Sequence, residues 1–159
     1  MSQRAEELVK RFEAANNAMI RCVEGCSEEE LNKVTSGEGW SVRVAAHHIA
    51  ALHEPVAGLV QLIATGAELP ALTMEMFNHI NAQHAAEYAN VSKAAVLEGL
   101  QQSGAKAAAI VAGLSDEQLD RSAHVAAFGA AMSAQQATEN ILIWHVDHHL
   151  GSIKATLGQ

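Results

Sequence analysis

The stretch ENILIWHVDHHLGSIKATLG, residues 139–158, sets His145 and His149 four positions apart beside an apolar stripe. Side chains four apart on a helix project from one face about one turn apart, so two imidazoles at this spacing can share one metal ion. Two ligands do not complete a site, and a third is offered by GWSVRVAAHHIAALHE, residues 39–54. Three neutral imidazoles suit a borderline divalent cation such as zinc or nickel and leave at least one coordination position open. Water presented there would ionise more easily than in bulk and a thiol would bind as thiolate, so the chemistry on offer is hydrolysis or thiol transfer.

The chain has nine histidines, so the choice of three rests on helical phase. In the segment after Ser41, the positions Val42, Ala45, Ile49, Leu52, Val56, Leu59 and Ile63 alternate in steps of three and four, the seam of a bundle helix. His48 borders that stripe, whereas His47 points outward. In the last segment Leu142, Val146, Leu150, Ile153 and Leu157 define the apolar face. At about 100° per residue, His149 lies roughly 60° and His145 roughly 100° from its centre on one flank, while His148 is roughly 160° away. The triad selected is therefore His48, His145 and His149. Spacing alone leaves a plainer alternative open, in which these are boundary histidines that pack and hydrogen-bond.

The elements that must position these residues are helical. Ala is abundant, aromatics make up only 4% and Pro occurs twice, a composition of helix formers, and no stretch alternates cleanly as a half-buried strand. A first helix is expected over residues 3–24. Ser27 with Glu30 marks a short helix, and Ser41 caps a second long helix running to about Thr65, bent at Pro55. Residues 74–89 and those from Ser92 to about Gly113 form one bent helix or two. Ser115 with Gln118 and Ser133 with Gln136 open two more helices, and HVAAFGAAM between them reads as a loop. The fold class is all-α: a four-helix bundle with short extra helices in its connections, built as a single domain over residues 1–159.

A net charge of -8 argues against a phosphate-backbone partner, so no nucleic acid is expected. No run is long and apolar enough to span a bilayer and the N-terminus lacks a signal-peptide pattern, which points to no membrane and a cytoplasmic location. Cys22 and Cys26 cannot build a disulfide framework and read as ordinary packed thiols.

GWSVRVAAHHIA resembles the first-ligand motif of the DinB-like superfamily, in which a histidine follows a helix-opening Trp by eight positions and precedes an aliphatic residue. Trp40, His48 and Ile49 match it. HVDHHLGSI is similar to that family's closing H-x-x-x-H pattern at His145, His149 and Leu150, and INAQHAAEYANVSKAAVLEGL to its middle region, with Ile80 and Asn81 as the Ile-Asn pair. The resemblance implies a four-helix bundle with one long crossover and a metal toward one end. It also implies thiol-dependent transfer or isomerisation, as in the mycothiol-dependent maleylpyruvate isomerase type, or metal-dependent hydrolysis. Isomerases of that group carry a further C-terminal domain, whereas this sequence ends shortly after the last helix, so a compact thiol S-transferase or hydrolase is the expectation.

The resulting reading is a divalent-metal enzyme that activates a low-molecular-weight thiol or water against a small-molecule substrate, with a homodimer as the expected assembly. The alternative is a non-catalytic metal or small-ligand binding bundle. Trp40 reads as a pocket-mouth residue or a packing anchor. His53 and Glu54 read as surface groups or groups behind the ligands, and His79, His84 and His124 as solvated histidines. Asn81 reads as a structural amide. Arg43 and Arg121 are the single cations available to an acidic thiol cofactor.

Overall fold

The structure, a computed structural model, describes residues 1–159. Its helices are α1 (Gln3–Gly25), α2 (Glu28–Leu31), α3 (Val42–Thr65), α4 (Met74–Glu87), α5 (Lys93–Ala112), α6 (Asp116–Asp120), α7 (Ala134–Ala137) and α8 (Trp144–Leu157). Their starts follow local chemistry. Ser27, Ser115 and Ser133 each form a complete capping box with Glu30, Gln118 and Gln136, and Ser41 accepts from Val44 N at the head of α3. Gly66 ends α3 in the left-handed conformation, φ 73°, where a Cβ would be strained.

Four helical runs make the bundle: α1, α3, α5 and the final run containing α7 and α8. α3 packs most extensively on α5, α1 also packs on α5, and the final run closes against both α1 and α3. α1 and α3 face each other diagonally, with few direct contacts. Phe12, Met19, Ile49, Ile63, Leu100, Leu142 and Ile153 are among the largest fully buried side chains and join all four runs into one core. No helix is long and apolar enough to cross a membrane. α4 stands outside the bundle and has no buried residue, so residues 74–89 and 92–113 form two helices with different roles.

Two local expectations are corrected. HVAAFGAAM is not a plain loop: β1 (Ser122–Val125) pairs antiparallel with β2 (Ala130–Ser133) across a 3₁₀ turn at Ala126–Phe128. Gly129 makes this turn at φ 61°, and buried Val125 ties the hairpin to the core. Helix α3 continues through Pro55 as the single helix expected. Its buried face also moves by one position along its length. Val42, Ala45, Ile49 and Ile63 are buried as expected, but beyond Ile49 the positions His53, Ala57, Val60 and Ala64 are buried where Leu52, Val56 and Leu59 are only partly so. Steps of three and four average 3.5 residues, and an α-helix drifts about 20° per heptad against that repeat, so the stripe rotates over a helix this long.

Between α7 and α8, residues Thr138–Ile143 form a π-helical segment. Such segments are rare and rotate everything downstream relative to what precedes. Because the segment ends at Ile143, His145 and His149 lie together on regular α-helix and keep their four-residue relation.

Candidate metal centre

α3 delivers His48 from its second turn, and α8 delivers His145 and His149 from its first two turns. Nε2 of His145 lies 3.2 Å from Nε2 of His48 and 3.1 Å from Nε2 of His149. Ligand nitrogens of all three lie within 4.8 Å of one another. A single Nε2 holds either one proton or one lone pair, so His145 cannot fully satisfy both neighbours by hydrogen bonding. Three lone pairs on one tetrahedral zinc at 2.0–2.1 Å would stand about 3.3 Å apart, close to the separations of the two pairs. The donor set therefore fits a borderline divalent cation.

The rings are kept neutral. Burial, and after it the neighbouring histidines, push His48 down to about 2. Burial and then His149 push His145 down to about 3, and burial lowers His149 against the opposing pull of Glu38. All three thus present lone pairs at neutral pH.

The surroundings come from three places. Trp40 lies against His48, with ring centroids 5.0 Å apart, and stacks nearly parallel on His149 at 6.2 Å. From α4, His84 reaches the edge of His48 at 5.8 Å, and Nε2 of His84 lies 2.8 Å from Nδ1 of His47. Tyr88 stacks on His47 at 4.2 Å. Glu38 is the charged neighbour: its Oε1 lies 3.2 Å from Nδ1 of buried His149 and 3.6 Å from Nε2 of half-exposed His148.

The DinB superfamily model matches residues 11–153, nearly the whole bundle including all three histidines. The chain belongs to the DinB superfamily. A relative from Oceanobacillus iheyensis, described as a candidate metal-dependent hydrolase, is 27% identical over 153 residues, covering 95% of this chain and 84% of the relative. Among solved structures, YfiT from Bacillus subtilis, a candidate metal-dependent hydrolase with an unusual four-helix bundle topology, superposes with a TM-score of 0.76 at 19% identity. That match covers 98% of this chain and 87% of YfiT. The mycothiol-dependent maleylpyruvate isomerase superposes with a TM-score of 0.75 at 17% identity, covering 96% of this chain and 63% of the isomerase. At these identities the solved structures establish a shared fold.

Within this DinB bundle the three selected histidines converge, while several others depart from expectation. His53 is not a surface group: it is 2% exposed, its Nδ1 lies 3.0 Å from Ser103 Oγ, and its ring meets Phe12 edge-on. The rotation of the α3 stripe carries it into the core. His84 and His47 are half-buried and mutually bonded rather than solvated or outward-pointing, because α4 lies over them. Glu54 is exposed and pairs with Lys106, and Asn81 is half-buried.

Arg43 is unavailable to a cofactor, since it is buried and bonded to Asn32, Glu28 and the Val91 carbonyl. Arg121 donates to the Ala64 carbonyl at the base of the hairpin. Cys26 is buried, its thiol donates to the Cys22 carbonyl, and burial raises it to about 11, so it is no thiolate ligand. Glu38 was missed by the sequence reading. It sits in a loop without periodicity, and only the nearby glycines and the Trp40 motif mark that loop.

Proposed function

We propose that this protein is a divalent-metal-dependent enzyme of one domain, in which His48, His145 and His149 hold zinc or nickel. The metal activates a low-molecular-weight thiol, in an S-transferase, or water, in a hydrolase, against a small-molecule substrate. The convergence of three neutral Nε2 atoms carries this reading. A cation held there supplies Lewis acidity, lowering the pKa of a thiol or water presented to it. Trp40 shields one side of the triad from solvent, while His47, His84 and Tyr88 form a polar aromatic wall against which a small substrate would be oriented. The names of the Oceanobacillus relative and of YfiT support hydrolysis, and that of the isomerase supports thiol chemistry. A cytoplasmic homodimer completes this reading, and sedimentation velocity measures the assembly.

The test begins with metal content. Protein purified without chelator should carry about one divalent metal per chain, and His145→Ala should abolish it. Absence of stoichiometric metal in the wild type, together with unchanged zinc and nickel titrations in the variant, would sink the proposal. Turnover is then sought with thiols plus electrophilic acceptors, beside ester and amide hydrolysis. Metal binding with no turnover in any of these assays would favour the non-catalytic binding bundle.

A further inference from the structure

The loop between α2 and α3 brings a carboxylate to the back of one metal-site ring. Val34 bridges Ser41 antiparallel, Thr35 N donates to the Trp40 carbonyl at 2.8 Å, and Val42 N donates to the Lys33 carbonyl at 2.9 Å. Gly39 N returns to the Thr35 carbonyl at 3.1 Å, with Gly39 in the left-handed region at φ 72°. Ser41 is also the N-cap of α3, so the loop is fixed to the helix that carries His48. Glu38 projects from this frame and is only 16% exposed.

Both oxygens of Glu38 are engaged. Oε2 is within 3.2 Å of Thr35 Oγ1 and 3.4 Å of Ser152 Oγ, the latter on α8 one turn beyond His149. Oε1 stands 3.2 Å from Nδ1 of His149, a buried nitrogen that has no aligned hydrogen-bond partner. When the Nε2 of a neutral imidazole gives its lone pair to a cation, its proton must reside on Nδ1, where it needs an acceptor. Glu38 is the carboxylate in reach of that nitrogen.

We propose that Glu38 is a positioning residue that holds His149 in its Nδ1–H tautomer and aims its Nε2 into the triad. This rests on the metal reading above. A carboxylate behind a metal-bound imidazole fixes ring orientation and raises ligand basicity, and loss of such a partner costs about 10–100-fold in metal affinity. His148 shares Oε1 but is half exposed and farther away, so it is not the group through which Glu38 acts.

The experiment is zinc titration against a chromophoric chelator for the wild type, Glu38→Gln, Glu38→Ala and His148→Ala. Imidazole ¹⁵N spectra of the zinc-loaded proteins are recorded alongside. Zinc affinity should fall about 10–100-fold in Glu38→Ala and less in Glu38→Gln, whose amide oxygen still accepts, while His148→Ala matches the wild type. The protected Nδ1–H signal of His149 should be present in the wild type and lost in Glu38→Ala. Glu38→Gln preserves the size of the side chain, and thermal unfolding of each metal-free variant identifies any loss through misfolding.

If the wild type binds zinc and both Glu38 variants bind within twofold of it, the positioning role is overturned while the metal reading stands. An equal loss in His148→Ala would overturn it too, by moving the role to His148. A wild type that binds no zinc overturns both.

Discussion

At the scale of single residues, burial decides what each histidine does. His48 and His149, which are buried, and His145, which is partly buried, are neutral because they are desolvated and face one another, which is what a metal ligand requires. His53 is neutral for burial alone and is pushed down to about 4. Below the ordinary histidine value of about 6.5, the unfolded chain takes up a proton that folded His53 refuses. Its contribution is therefore full above that pH and is lost as pH falls toward 4. Between pH 7 and pH 5 this one group should remove about 2 kcal/mol of stability. Metal-free His48 and His145 act in the same direction. Urea unfolding of metal-free wild type and His53→Gln at the two pH values measures the effect, and an identical pH slope in the variant would refute it. The grouping of the three histidines was legible in the sequence because they lie on helices whose phase can be counted. Glu38 was not, because a loop residue has no phase and its partners Thr35 and Ser152 meet only in three dimensions.

At the scale of elements, the capping serines were readable because each acts within three residues of itself. The contact between α1 and α5 was not readable, and it depends on one small residue. A Cβ on Gly104 would stand 2.2 Å from Asn16 Nδ2, and Asn16 is buried with that nitrogen donating to the Leu100 carbonyl at 2.9 Å. Gly104→Ala must displace the amide from its bond and should cost about 1–3 kcal/mol in chemical denaturation. The penalty should shrink in an Asn16→Ala background, since the clash is with that side chain. An equal penalty in both backgrounds would show that helix separation, not Asn16, sets the spacing. The rotation of the α3 stripe belongs to this scale as well. A repeat of three and four locates a helix face near its start, but drift carries His53 under the surface one and a half turns past His48.

At the scale of the whole molecule, the proposed metal ties α3 to α8, two runs separated by nearly a hundred residues of chain. A cation bound only by the folded state stabilises it by about 2.7 kcal/mol at a free concentration 100 times Kd. For a chain of this length that is a rise in Tm of about 5–10 °C. Calorimetry with zinc and with chelator measures it, and His145→Ala should show no difference between the two; an equal shift in the variant would place the stabilising ion elsewhere. The sequence by itself determined the helical class and the helix starts and singled out three histidines as candidates, because these depend on short-range periodicity and local capping. Only the tertiary structure decided that the three Nε2 atoms converge, that His53 is core, that HVAAFGAAM pairs as a hairpin and that Glu38 stands behind His149. Each of these depends on residues distant in the chain arriving at one place, where packing sets burial, and burial sets protonation and reach.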